Sequence, residues 1–193
     1  MKFLARAVIA ALTLVAAVAA QSAVIHYEGT ITSAAPTVTG SVGGFGFIRQ
    51  VASDVDFWSF AGIAGSRVSI RGTRLDSGLD PAFDLYFGTT TADESLFRIG
   101  QSWGGLQFLA SADDEVDPPA GPFGDPLLSL FTLPSTGTYT IAIGGAGSEG
   151  EGPYRYSLSV QAAAVPEPET WTMLLVGSGL LAGWLRRREQ RVA

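Results

Sequence analysis

The sequence predicts an all-β domain, an antiparallel β-sandwich, with an uncharged apolar segment at either end of the chain. Three observations carry this. Between residues 21 and 165 the apolar side chains fall into short runs of strand length, separated by glycine, proline or aspartate clusters. Alternation within the runs has period two: in Arg67-Val68-Ser69-Ile70-Arg71, Val68 and Ile70 face one way and the polar residues the other, and Tyr154-Arg155-Tyr156-Ser157-Leu158-Ser159-Val160 repeats the pattern. No part of this region sustains a helical period, and eight or nine such strands need two packed sheets to bury one face each.

In chain order, the first predicted strand is residues 24–32, with Val24, Ile25 and Ile31, and the second is 45–51, with Phe45, Phe47 and Val51. Residues 56–60 carry Phe57, Trp58 and Phe60, read as core and its covering, and 67–71 show the alternation described above. The run 82–87 follows the Asp80-Pro81 turn, 106–109 follows Gly104-Gly105, and 127–132 follows Pro126. Gly137 opens 138–143, and Gly152-Pro153 opens 154–160.

The two ends read as targeting segments. Residues 1–20 contain 17 apolar residues behind Lys2 and Arg6 and end in small side chains, the pattern of a signal peptide cleaved near Ala19 or Ala20. At the other end, residues 171–185 are uncharged and lie between Trp171 and Arg186-Arg187-Arg188. A helix there would be about 22 Å long against about 30 Å of hydrocarbon, a short transmembrane span with indoles at its interfaces and the arginines on the cytoplasmic side. Residues 21–164 then form the exported domain. Six arginines against 15 acids between residues 21 and 165 give it a net charge of −9, which argues against a nucleic-acid partner.

Val165-Pro166-Glu167-Pro168-Glu169-Thr170-Trp171, the short apolar span and the arginine cluster together resemble the PEP-CTERM sorting signal, over residues 165–191. The resemblance implies that Pro166, Glu167 and Pro168 are read by a membrane-embedded exosortase, that the part from Trp171 to Arg188 is removed, and that the host is a Gram-negative bacterium making extracellular polysaccharide. Two prolines keep such a motif extended.

The middle of the chain has its own order of motifs: Asp54-Val55-Asp56-Phe57-Trp58, Gly65, Leu79-Asp80-Pro81-Ala82-Phe83-Asp84, Ala112-Asp113-Asp114, Gly137-Thr138-Tyr139-Thr140-Ile141, and Gly152-Pro153-Tyr154. This is similar to the bacterial pre-peptidase C-terminal (PPC) domain, over about residues 50–161. The resemblance implies a jelly-roll-like, non-catalytic accessory module, some members of which bind calcium. A long insert at 113–125 and the lack of an attached peptidase depart from that pattern.

Candidate chemistry is sparse. With no cysteine and one histidine, a nucleophile would have to be assembled around His26, so a small secreted hydrolase built on His26 or on an Asp pair is the weakest reading. No catalytic residues are assigned. Asp54, Asp56, Asp80 and Asp84 are candidate calcium ligands, as is the dense loop of Asp113, Asp114, Glu115 and Asp117, because calcium takes six to eight oxygens. Against this, aspartate caps turns, and a chain without asparagine needs it to do so. Gly145-Ala146-Gly147-Ser148-Glu149-Gly150 matches a dinucleotide fingerprint but precedes a strand where phosphate binding needs a helix. Trp103, in a glycine-rich loop, either stacks on a sugar or closes the end of the sandwich. These residues point to a non-enzymatic surface or extracellular-matrix module, with calcium or polysaccharide binding as the alternative and exosortase and the secretion machinery as partners.

Overall fold

The computed structural model describes residues 23–117, 122–163 and positions 174, 176 and 178. Among the described residues nine strands form two sheets. They are β1 (Tyr27–Ile31), β2 (Thr37–Val42), β3 (Val55–Gly62), β4 (Arg67–Arg74), β5 (Pro81–Phe87), β6 (Gln107–Ala112), β7 (Leu127–Thr132), β8 (Gly137–Gly145) and β9 (Tyr154–Ala162). One sheet has the order β1-β3-β8-β5-β6 and the other β2-β9-β4-β7. All neighbours are antiparallel except β1 and β3, which run parallel. The sandwich is therefore the predicted one with a parallel edge. The expected signal segment, sorting motif and arginine tail (Arg186 to Arg188) lie outside the described residues, as does most of the expected span.

The central strands do not alternate in polarity, and the structure shows why. Inward-facing Trp58, Phe60, Phe83, Leu85, Tyr139, Ile141 and Ile143 meet Val68, Ile70, Tyr156 and Leu158 of the second sheet. Their odd-numbered and even-numbered neighbours Phe57, Ala82, Tyr86 and Ala142 enter a second core on the outer face, with Ile25, Phe47, Phe97, Trp103 and Leu106. A strand buried on both sides reads as a continuous apolar run.

One predicted element is corrected and one strand appears that was not predicted. Residues 45–51 are not a strand. They hold a helical turn, α1 (Gly46–Arg49), followed by a 3-10 turn at Ala52–Asp54, because the chain must cross from one sheet to the other and seat Phe47 on the outer face of the first. Conversely β2 is a strand despite its Thr, Gly and Ser content. As an edge strand it pairs with β9 alone over six residue pairs, and the ladder needs little apolar surface. The 24–32 run becomes strand only at Tyr27; Ile25 instead bonds outward, its amide donating to Ala92 at 3.0 Å.

Loops gather at two ends. At the near end, β9 delivers the chain to residue 163, beside loops 32–36, 63–66 and 133–136. The far end carries 43–54, 75–80, 113–126 and 146–153. A buried hydrogen-bond chain pins the sheets together below the far end: Trp58 Nε1 donates to Tyr156 Oη at 2.7 Å, and Tyr156 Oη donates to Asp56 Oδ2 at 2.6 Å. Gly40 is obligatory beside it, since a Cβ there would sit 2.3 Å from both Asp56 Oδ2 and Tyr156 Oη. Tyr156→Phe leaves the buried indole N–H without an acceptor and should cost about 1–3 kcal/mol, read as a lower urea midpoint at unchanged m-value.

Candidate functional site

The four aspartates named as candidate calcium ligands are not brought together. Asp56 faces inward and is held by Tyr156. Asp84 lies on the opposite face of the same sheet, fully buried, where it accepts from Tyr86 Oη at 2.7 Å, the Gly100 amide at 2.6 Å and Ser111 Oγ at 2.6 Å. Two residues on opposite faces of a sheet cannot share an ion, and Asp84 already has the partners that make a buried carboxylate tolerable. Asp54 closes the 3-10 turn and borders a polar hollow with Ser41, Ser53 and Glu151. Burial raises the Asp56 carboxyl above the ordinary range against the lowering effect of the Tyr156 hydroxyl.

Trp103, expected either to stack on a sugar or to close the end of the sandwich, packs into the core on the outer face of the first sheet. Only 7% of it is exposed, and it meets Phe97, Phe57 and Tyr86 edge-on with centroids 5.4, 6.2 and 6.2 Å away. The isolated pairing of Trp103 with Leu106 folds its loop back onto the sheet. No ring face is left open for a sugar.

The fourth aspartate gains new company. Carboxylate oxygens of Asp80, Asp113 and Asp114 lie within 4.8 Å of one another at the far end. Asp80 stands just before β5, its amide donating to Ser148 Oγ at 2.9 Å and its carbonyl accepting from Ala146 at 2.7 Å. Asp113 and Asp114 open the connection that crosses from β6 in one sheet to β7 in the other. Asp80 Oδ1 is buried without a hydrogen-bond partner. Its burial, with the charges of Asp113 and then Asp114, pushes Asp80 from its ordinary 3.8 up to about 6, while Arg74 pulls the other way. Asp113 is raised too, first by burial and then by Asp114 and Glu115.

A missed pair positions this cluster. Arg74 and Asp125 are both buried, with Nε 3.7 Å from Oδ1, and the Arg74 amide donates to the same oxygen at 3.3 Å. The guanidinium also donates to the carbonyls of Leu79 and Phe123. It thus ties the crossover to the turn that carries Asp80. Within the crossover, Asp114 Oδ1 accepts from the Gly124 amide at 2.7 Å, and Glu115 Oε2 accepts from the Asp113 and Leu127 amides. Sequence alone showed Arg74 only as one of the six arginines between residues 21 and 165, three residues beyond the alternating run 67–71.

Three converging carboxylates, one with an unsatisfied buried oxygen, fit a hard cation such as calcium or magnesium with solvent completing its shell. The donor set is all oxygen and offers nothing soft. His26, the single imidazole, is exposed on the segment before β1, remote in sequence from any of these acids. The Gly145-to-Gly150 loop leads into β9 and not into a helix, so it cradles no phosphate in the dinucleotide manner.

Residues 164–188 match the PEP-CTERM protein-sorting motif. No curated protein matches the sequence. Among solved structures, the fold is similar to that of CorA, a surface-associated copper-binding protein of Methylomicrobium album BG8, at 13% identity and a TM-score of 0.53, covering 71% of this chain and 98% of that one. Two others are the pre-peptidase C-terminal domain of a Bacillus anthracis collagenase (16% identity, TM-score 0.38, 69% and 90% covered) and PliG, a periplasmic inhibitor of g-type lysozyme from Aeromonas hydrophila (16%, 0.39, 66% and 84%).

The raised Asp80 sets the sign of a pH effect. Between its ordinary value and about 6 the folded state holds a proton that the unfolded chain has released, so this group's contribution falls as pH rises through that window. Urea unfolding measured from pH 4 to 7 should show a shallower decline in Asp80→Asn than in the parent chain. Identical slopes would mean that the cluster carries no such strain.

Proposed function

We propose that this chain is a non-enzymatic, exported β-sandwich module, delivered to the cell surface or extracellular matrix by its carboxyl-terminal signal and acting there as a structural or interaction protein. The PEP-CTERM match, beginning one residue after the described sandwich ends, is the observation that carries this reading. The motif implies an exported, membrane-anchored precursor and processing by an exosortase. In the finer reading, residues 1–20 are a cleaved signal peptide, 171–185 the temporary anchor, and Pro166, Glu167 and Pro168 the recognised motif.

Mass spectrometry of both termini, on protein recovered from an exosortase-competent host, tests it. The expected mature form begins after Ala19 or Ala20 and lacks the Trp171-to-Arg188 segment, and Glu167→Ala retains that segment. An exported chain that keeps its tail in such a host would sink the sorting reading, and a chain confined to the cytoplasm would sink export.

A second reading is supported by the converging carboxylates: a divalent cation bound by Asp80, Asp113 and Asp114 stabilises the far end. Polysaccharide stacking on Trp103 has lost its support with the burial of that ring. A cation that binds only the folded chain raises stability by mass action. Millimolar calcium should therefore raise the melting temperature of the parent and leave Asp80→Asn unchanged; an unaltered parent melting curve removes the reading.

A further inference from the structure

The two ends of the sandwich differ in charge. Far-end loops hold Asp76, Asp80, Asp113, Asp114, Glu149 and Glu151, and the turn Glu94–Leu96 packs beside Ala52–Asp54 on the same side. At the near end, residues 32–36, 63–66 and 133–136 contain no charged residue. The cation bordering them is Arg67, exposed at the start of β4, whose carbonyl accepts the Ala163 amide at 2.8 Å.

The near end is also apolar and held in shape. Ile63 is 67% exposed at the tip of the turn between β3 and β4. Ser66 closes that turn by donating to the Ile63 carbonyl at 3.0 Å, and Gly65 takes φ 81°, the left-handed value that the third position of a type II turn demands. Gly65 and Leu133 are joined by an amide-to-carbonyl bond of 2.8 Å, with the Leu133 amide returned to Ser66 at 2.9 Å. Ile63 is therefore presented outward by a pinned turn. Beside it a cleft of about 210 Å³ opens between the sheets, lined by Ile31, Phe60, Val68, Leu133 and Val160 among others.

Chain length says what covers this face. Eight Cα-to-Cα steps lead from Ala163 to Trp171, at most about 29 Å when fully extended. The nine-residue strand β8 spans the same number of steps, about 27 Å, and loops add to the height of the sandwich at both of its ends. The tether leaves from the near end and at full stretch is about one strand long, so the near end is the part held next to the anchor.

We propose that the near end is a lipid-docking face: in the membrane-anchored precursor it rests on the headgroup layer, with Ile63 inserted and Arg67 set against anionic headgroups. This rests on the reading of residues 171–185 as the anchor. Shallow insertion of an apolar tip combined with a nearby cation is the chemistry of interfacial binding, and the acidic far end is repelled by the same headgroups. Docking holds Pro166, three residues beyond Ala163, close to the plane in which a membrane-embedded protease works.

The absence of cysteine makes the test direct. Single cysteines at Ile63→Cys, Glu149→Cys and Ser178→Cys are labelled with an environment-sensitive fluorophore in the full chain. Each is reconstituted in phosphatidylethanolamine–phosphatidylglycerol vesicles carrying a nitroxide lipid. The label at 63 should shift to shorter wavelength and be quenched, because insertion brings it into the interface beside the nitroxide, while the label at 149 is unaffected. Moving the reporter to Ala64→Cys and adding Ile63→Asp should abolish the quenching. An unquenched label at 63 beside a quenched one at 178 overturns docking and leaves the anchor intact, which is also the result if a second copy of the chain covers the face. An unquenched label at 178 overturns the anchor and the docking with it.

Discussion

A five-stranded sheet with large side chains on both faces cannot stop at a two-layer sandwich. Here β3, β5 and β8 send Trp58, Phe83 and Ile141 inward and Phe57, Tyr86 and Ala142 outward, and the outward set must be covered as completely as the inward one. That requirement explains parts of the chain that otherwise look irregular. The 88–106 connection is long because it serves as a lid, laying Phe97, Trp103 and Leu106 on the outer face. Residues before β1 are drawn onto it through Ile25, and α1 covers the far end of β8 through Phe47. Edge-on contacts among Phe57, Phe97 and Trp103 add about 0.5–1.5 kcal/mol each to the area they bury.

With both faces of that sheet committed to packing, chemistry is left to the ends. The far end gathers acids on loops that the Arg74–Asp125 pair holds in place. Such a buried pair contributes little net stability against hydrophobic replacements, so its value lies in fixing where the crossover runs. The near-end loops 32–36, 63–66 and 133–136 are uncharged, with Arg67 beside them, and lie next to residue 163, where the described chain meets the sorting segment. The two ends therefore differ in the surroundings their side chains suit, acids and polar loops at one and an exposed apolar turn at the other.

Much of this was legible in the sequence wherever local pattern and final environment agree. Val68 and Ile70 alternate with polar residues because β4 has one buried face, and the run at 154–160 reads the same way for β9. The sorting segment declares itself by composition and order alone. What was hidden depends on contacts distant in sequence. Phe45 to Val51 looks like a strand because apolar residues that cover the face of a sheet and those that line a strand are the same residues. β2 looks like a loop because an edge ladder asks little of its side chains. Asp80 shares its site with Asp113 and Asp114 only because the crossover between sheets passes over the β5 turn, a fact with no local signature. Asp84, equally acidic on paper, is spent inside the lid on Tyr86, Ser111 and the Gly100 amide.

Native-state hydrogen exchange distinguishes a lid at 88–106 that forms a second core from a mobile surface loop. Trp103 and Leu106 exchange backbone hydrogen bonds at 3.1 and 2.7 Å within the lid, while the amides of β8 lie in the middle of the sheet. If the sheet depends on cover from both sides, these two amides exchange in the same slow class as those of β8, at the free energy of global unfolding. Fast exchange at Trp103 and Leu106, with β8 still fully protected, would show that the sandwich stands without its lid and would contradict the account.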